Sequence, residues 1–134
     1  NGTTGNATIG AGSAAGLIFA ASTIDGNFSA TATNGNITQT GALAITGTTT
    51  LVTSENNATI TLETSTNKFA GQVDLSTQGT SGHVSLVQGD NQGYLTFDTS
   101  EVRGNLTVKT GTGGRVTQAG ILTVDGGNAA AMLR

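Results

Sequence analysis

The 134-residue chain has no proline, no cysteine and no tryptophan, and only 4% of its residues are aromatic and 10% charged. Without cysteine, it has neither a disulfide framework nor a thiolate metal site. Charged residues are too sparse for a coiled coil or helical bundle, in which about half of the residues are Ala, Glu, Lys, Leu and Arg. No hydrophobic run approaches the roughly 20 residues of a membrane-spanning helix. The five Lys and Arg residues form no cluster, which argues against a nucleic-acid partner.

The start of the chain also lacks the features of a signal peptide. Asn1 is not preceded by a methionine and is not followed by a basic segment and a hydrophobic segment. We therefore expect no signal peptide in this sequence, as in a processed chain or an internal fragment. The length corresponds to one domain or to one segment of a longer protein.

Small polar residues dominate what is present. Gly (21), Thr (26), Asn (11) and Ser (9) together occupy 67 of the 134 positions. Such a composition can indicate disorder, but disorder usually accompanies high net charge and few β-branched residues. Here the net charge is −3 and Thr, Val and Ile are abundant, which favours strands joined by polar turns. Because five aromatic residues supply little bulk, we expect a thin, elongated core.

An internal repeat relates the two halves of the chain. The repeated segments lie 78 or 79 residues apart: 17–19 (LIF) with 95–97 (LTF), 24–30 (IDGNFSA) with 102–108 (VRGNLTV), and 37–47 (ITQTGALAITG) with 116–126 (VTQAGILTVDG). The one-residue difference falls among turn residues, where an insertion costs little. We predict a single β-helical segment over 1–134 with a period of about 79 residues, in which 5–47 matches 82–126.

Hydrophobic alternation indicates short strands with one inward face. The pairs of apolar residues at i and i+2 are Leu17/Phe19, Phe28/Ala30, Leu43/Ile45, Ile60/Leu62, Val73/Leu75, Val84/Leu86, Leu95/Phe97, Leu106/Val108 and Leu122/Val124. No stretch has a convincing helical period. Gly, Asn, Asp, Ser or Thr separates each pair from the next, which predicts turns.

Two all-β architectures use such strands. A β-sandwich needs bulkier inward residues and usually has proline in its loops. A parallel β-helix needs only two or three inward residues per short strand, and its turns use Gly and Asn. We therefore predict a parallel β-helix. With roughly 20 residues per coil, the repeat would fill about four coils and the chain about six or seven.

Three segments carry a family resemblance. The segments 35–43 (GNITQTGAL), 67–75 (NKFAGQVDL) and 104–108 (GNLTV) are similar, in this order, to segments in the repeats of filamentous-haemagglutinin-like exoproteins. The resemblance implies a right-handed parallel β-helix from the shaft of a large protein that Gram-negative bacteria secrete, often by two-partner secretion. It also implies an adhesin or surface filament, and it places no catalytic residues in this region.

His83 is the only histidine, and Ser81, Ser85 and Asp90 lie close to it in sequence. Strand geometry would put Ser81, His83 and Ser85 on one face, as a catalytic triad reading requires. No nucleophile elbow or oxyanion motif accompanies them, however. We favour a solvated histidine at the start of a strand.

The eight carboxylates are scattered from Asp25 to Asp125. A carbohydrate-active β-helix would need two or three acids in one groove, and Glu55, Glu63 and Asp74 could approach one another across coils. We favour a solubilising role for them. The glycine- and aspartate-rich calcium nonapeptide does not occur. We predict no catalytic, metal or cofactor-binding residues.

Two further patterns have weak functional meaning. Thr-x-Thr pairs occur at Thr31/Thr33, Thr38/Thr40, Thr48/Thr50, Thr64/Thr66 and Thr110/Thr112. An ice-binding face would need one pair per coil, but the intervals are irregular, so β-propensity is favoured. Asn-x-Ser/Thr occurs at Asn1, Asn6, Asn27, Asn36, Asn57 and Asn105, where glycosylation and chance occurrence remain open.

These observations together predict a non-enzymatic, extracellular shaft segment on a bacterial surface, which holds a distal binding region away from the cell. The interior would contain Leu43, Ile45, Leu106, Val108, Leu122 and Val124. The expected partners are further repeats of the chain, and a receptor or glycan on a host or neighbouring cell is a further expectation. The alternative is a subunit that stacks head to tail through its open strand edges into a filament.

Overall fold

The computed structural model describes residues 5–12, 16–125 and the backbone of 131–133. In this part of the chain all regular structure is β-strand and no helix occurs. The seventeen strands are β1 (Ala7–Ala11), β2 (Leu17–Phe19), β3 (Ser22–Ile24), β4 (Phe28–Ala32), β5 (Ile37–Gln39), β6 (Leu43–Ile45), β7 (Thr49–Asn56), β8 (Ile60–Leu62), β9 (Lys68–Phe69), β10 (Gln72–Gln78), β11 (Val84–Gln88), β12 (Tyr94–Phe97), β13 (Ser100–Val102), β14 (Leu106–Thr110), β15 (Arg115–Gln118), β16 (Leu122–Val124) and β17 (Ala131–Leu133).

Every strand pair is parallel, and each coil stacks on the one before it. The first face contains β1, β4, β7 and β10, the second runs from β2 through β5, β8, β11 and β14 to β17, and the third contains β3, β6 and β9. The predicted parallel β-solenoid is therefore confirmed. It has about 5 turns, so the expectation of six or seven coils was wrong. The predicted length of roughly 20 residues holds for the coil from Leu17 to Ile37, with 20 residues, but the coil from Leu106 to Ala131 has 25.

The later coils join two of the faces. The start of β10 pairs with β12, in the register Val73 on Phe97, and its middle pairs with β13, in the register Ser76 on Glu101. The strands β15 and β16 then stack on β12 and β13. As a result, these strands belong to one eight-stranded sheet with the first face.

The core consists of columns of apolar side chains along the axis, because inward positions stack in register. On the second face the column is Ile37, Ile60, Val84 and Leu106. All four are at most 1% exposed. Near the start of the chain, the rings of Phe19 and Phe28 add an edge-to-face contact to this core, with centroids 5.1 Å apart.

All nine predicted apolar pairs lie in strands. Of the six residues predicted inside, Leu43, Ile45, Leu106 and Val108 are fully buried. Leu122 and Val124 are only partly buried and pack against the core from its edge. The alternation therefore identified strands and their inward faces correctly.

Matched segments of the repeat make matching strand pairs. Leu17 and Phe19 of β2 pair with Ile37 and Gln39 of β5, and Leu95 and Phe97 of β12 pair in the same way with Val116 and Gln118 of β15. Each matched strand lies ten strands further along the chain.

Ten strands on a three-sided coil are three coils and one further face. Consequently β4 lies in the eight-stranded sheet whereas its match β14 lies in the six-stranded sheet. The repeat therefore fills fewer than the expected number of about four coils, and the second copy is shifted by one face around the axis.

Candidate functional site

The residues around His83 are engaged separately. His83 is exposed, directly precedes β11, and accepts the Asn105 backbone N–H through Nδ1 at 2.8 Å. The Ser85 hydroxyl donates to Glu63 Oε1 at 2.5 Å, and Asp90 Oδ1 accepts the Thr112 N–H at 2.7 Å. This arrangement joins neighbouring coils and does not link a nucleophile, base and acid in series.

His83 takes the place of an asparagine in the other copy of the repeat. Asn6 Oδ1 accepts the Asn27 N–H at 2.9 Å, and Asn27 matches Asn105. The glycine before each donor allows the close approach: a Cβ on Gly26 would lie 2.6 Å from Asn6 Oδ1, and one on Gly104 would lie 2.7 Å from His83 Nδ1. His83 therefore acts as a corner acceptor, a role that its exposure alone does not reveal.

Other corners use asparagine in the same way. Asn27 Oδ1 accepts the Thr48 N–H at 2.9 Å, and Asn36 Oδ1 accepts the Thr59 N–H at 2.8 Å. Asn57, which has a positive φ of 66°, accepts the N–H groups of Thr80 and Ser81, both at 2.9 Å. Asparagines of the Asn-x-Ser/Thr motifs thus connect coils; Asn1 lies outside the described residues.

The three carboxylates singled out from the sequence have three different surroundings. Glu55 Oε2 accepts the Gly35 N–H at 2.5 Å, and Glu63 accepts the Ser85 hydroxyl. Asp74 lies beside Asp98 of the next coil, because Val73 pairs with Phe97. Partial burial, and then the repulsion of the Asp98 carboxylate, raise the pKa of Asp74 above its ordinary value of 3.8.

A second group of charges lies on the following strand. The guanidinium of Arg103, which directly follows β13, pairs with Glu101 of β13 and, at 3.1 Å, with Asp125 of the next coil. All three side chains are more than a third exposed. This network therefore adds little to stability, as is usual for exposed ion pairs.

A shallow surface groove of about 340 Å³ lies between these two groups. Asp74 and Glu101 stand at its sides, and the remaining lining is made of hydroxyl groups and apolar side chains: Leu75, Ser76, Thr99, Ser100, Ile121 and Thr123. In the described ranges, no group of three or more His, Asp or Glu side chains could hold a metal ion.

Hydroxyl groups form one outward row on the second face. Thr38, Thr61, Ser85 and Thr107 stack in register. Two residues further along, Val87 pairs with Lys109, so the neighbouring row has no hydroxyls at these positions. A regular lattice of Thr-x-Thr pairs, which an ice-binding face would need, is therefore not present on β11 and β14.

Polar side chains also lie inside the coil, and no sequence pattern indicated them. The side-chain amides of Gln39 and Asn67 donate to each other's oxygen atoms, both at 2.8 Å. Asn67 also accepts the Leu43 N–H at 3.0 Å and donates to the Leu62 carbonyl at 3.1 Å. Asn67 is 0% exposed, so one buried amide connects two coils by hydrogen bonds.

Gln88 has a similar role one coil further on. Its Oε1 accepts the Phe69 N–H at 2.8 Å, and its Nε2 donates to the Phe69 carbonyl at 3.3 Å. Both atoms of this buried amide are therefore satisfied by the backbone. These contacts link residues 19 positions apart, which is why spacing along the sequence could not identify them.

No helix in the described part of the chain is long and apolar enough to cross a membrane. No curated protein and no solved structure matches the chain significantly. A family described as repeats of unknown function (DUF5649) matches residues 4–76 and 81–131. Both copies of the internal repeat lie within these matches. The chain belongs to this repeat family.

Proposed function

We propose that the chain is a non-enzymatic shaft segment of a secreted, filamentous bacterial adhesin, which holds a binding region away from the cell surface. The observation that carries the proposal is the parallel stacking of each coil on its neighbours. Such a solenoid grows along one axis as repeats are added, and its stability is close to a sum over neighbouring coils.

The interior supports a mechanical role. Buried amides and hydroxyls, such as those of Asn67, Gln88 and Thr77, bond to the backbone of an adjacent coil or corner. The ladders therefore continue along the axis where apolar packing is thin. The resemblance of 35–43, 67–75 and 104–108 to filamentous-haemagglutinin-like repeats supports the extracellular and adhesin parts of the proposal.

The experiment inserts further copies of the ten-strand repeat. One or two extra copies of residues 28–105 are placed after Asn105, where the sequence continues in phase, and the particles are imaged by electron microscopy. Each copy should lengthen the rod by roughly 16 Å at about 4.8 Å per coil, with no change in width. A rounder particle or a wider rod would overturn the shaft proposal.

Self-assembly is the second candidate, because strands at both ends pair on one side only in the described part of the chain. A dilution series of the 134-residue chain distinguishes the two. Single short rods at every concentration favour the passive shaft. Long unbranched filaments would make the chain a fibre subunit.

The adhesin part has its own test. Beads coated with the chain should bind cells no better than albumin-coated beads if the receptor site lies elsewhere in the protein. Binding to cells would place a receptor site on this segment and would contradict a passive shaft.

A further inference from the structure

The end of the solenoid formed by β2 and β3 is less buried than its match. Leu17, Phe19 and Ile24 match Leu95, Phe97 and Val102. The second set is fully buried, whereas Phe19 is 8% exposed and Leu17 and Ile24 are half-buried. The difference arises because β10 covers β12 and β13, while no described strand covers β2 and β3 on that side.

A serine at this end already has the geometry of its buried match. Ser100 Oγ donates to the Asp98 carbonyl at 3.0 Å and accepts the Leu75 N–H at 3.0 Å, with Ser100 only 3% exposed. Ser22 Oγ makes the matching donation to the Ala20 carbonyl at 2.9 Å. Ser22 is exposed, so its hydroxyl oxygen is accessible to an incoming backbone N–H.

We infer that β2 and β3 form a docking edge for a β10-type strand from a further copy of the repeat in the same polypeptide. The register follows from the covered copy: the residue matching Val73 pairs with Phe19, and the one matching Ser76 pairs with Thr23. The carbonyl of the first accepts the Ala20 N–H, as Val73 accepts the Asp98 N–H at 2.8 Å. The N–H of the residue matching Leu75 donates to Ser22 Oγ.

The phase of the repeat makes a separate copy of the chain a poor occupant. Strands β15, β16 and β17 lie at the opposite end. The first two match β5 and β6, and β17 corresponds to β7 by its place ten strands further along the chain. Because β5, β6 and β7 pair with β8, β9 and β10, the strands that would stack on this end are of the β8, β9 and β10 types. Two copies stacked end to end would therefore lack one coil between them. A preceding repeat in the same polypeptide supplies the missing β10-type strand in phase.

The test extends the chain at its start. Residues 28–81, which end just after β10, are joined to Gly5, because Gly82 matches Gly5. In a control, the seven residues of the added β10 are replaced by a glycine–serine sequence of equal length. Exchange of the Ala20 amide with deuterium should slow by about tenfold or more in the extended chain and stay unchanged in the control.

Ser22→Ala provides a second readout. It should leave Ala20 exchange and the midpoint of thermal unfolding nearly unchanged in the original chain. In the extended chain it should reverse at least half of the logarithmic slowing at Ala20, because a buried N–H loses its acceptor. Unchanged Ala20 exchange after extension would overturn the inference, as would an extension that stays unfolded, since docking is what should fold it.

This inference rests on the proposed shaft function only for its biological meaning. Slow exchange at Ala20 together with beads that bind cells would retain the docking edge and reject the passive shaft. The opposite result would retain the shaft and reject the docking edge. In that case the rods lengthen with inserted repeats, but the Ala20 amide exchanges freely in the extended chain.

Discussion

Gln39 and Gln118 occupy the same position in the two copies of the repeat but have different surroundings. Each donates through Nε2 to the carbonyl of a glycine two residues on, at 2.7 Å in both cases. Gln39 is partly buried under a further coil and pairs with Asn67, whereas Gln118 is exposed. The local motif thus fixes the turn, and the neighbouring coil determines how strongly that turn is held.

The two copies also differ in which of their strands a neighbouring coil covers. The first copy is covered on the side of β5 and β6 and open on the side of β2 and β3. The second copy is covered by β10 where the first is open. The account therefore attributes stability to contacts between coils, and substitutions at matched positions can test it.

The largest expected effect is at the two matched phenylalanines. Phe97 is 0% exposed and lies under β10, whereas Phe19 is 8% exposed. Phe97→Ala should lower the free energy of unfolding by about 3–5 kcal/mol, because it leaves an enclosed cavity. Phe19→Ala should cost less by at least about 1 kcal/mol, since water can enter from its open side. Urea unfolding followed by circular dichroism measures both, and equal losses would contradict the comparison.

A smaller difference is expected at the buried amide. Asn67→Ala should lower the free energy of unfolding by roughly 2–4 kcal/mol, because the Leu43 N–H and the Gln39 side chain lose their partner. Gln118→Ala should cost less than about 0.5 kcal/mol, as for most exposed positions. A loss at Gln118 as large as that at Asn67 would show that the motif, and not the covering coil, holds this corner.

Two inward threonines on the first face should respond in opposite directions. Thr49 and Thr77 are both 0% exposed. The Thr77 hydroxyl donates to the Gly82 carbonyl at 2.7 Å and accepts the Arg103 N–H at 2.8 Å, whereas Thr49 Oγ1 has no hydrogen-bond partner in the described residues.

Replacement by valine keeps the shape of both side chains. Thr77→Val should therefore destabilise the chain by about 1–3 kcal/mol, and Thr49→Val should stabilise it by about 1 kcal/mol. Thermal unfolding of the two variants checks the signs. A destabilised Thr49→Val variant would mean that this hydroxyl has a partner.

The His83 corner should tolerate the residue found in the other copy. His83→Asn restores an oxygen acceptor of the Asn6 kind and should change the free energy of unfolding by less than about 0.3 kcal/mol. His83→Ala leaves the Asn105 N–H without its side-chain acceptor and should cost about 1 kcal/mol. Chemical denaturation at pH 8 measures the difference. Equal stability of the two variants would remove the corner-acceptor role.

The smallest effect should be at Asp74. Because the raised pKa means that the folded state holds this proton more tightly, stability falls as the pH rises from 3.8 through the folded-state pKa. Asp74→Asn should therefore stabilise the chain near neutral pH by only about 0.3 kcal/mol, since water and salt screen the exposed part. The gain should vanish below pH 3.8 and shrink in the Asp98→Asn background. A gain that is the same at every pH would exclude a charge effect.

The sequence predicted the solenoid because its apolar side chains alternate in nine short segments, and all nine lie in strands. It failed for coil number and repeat phase, because coils vary in length and the corners absorb the variation. Strand β3 and the polar inward positions Thr49, Thr77 and Ser100 carry no hydrophobic alternation. The role of His83 as acceptor of the Asn105 N–H could not be predicted either. It depends on the equivalence of His83 and Asn6, and that equivalence is visible only in the hydrogen bonds between coils.

The most direct measurement is amide hydrogen exchange along the whole 134-residue chain. If contacts between coils determine stability, protection should be highest in β7, β8 and β10 and should fall toward β2 and β3 at one end and β15 and β16 at the other. Matched strands such as β5 and β15 should then differ by about tenfold or more in exchange rate. Equal protection of matched strands, whatever their place along the axis, would contradict the account.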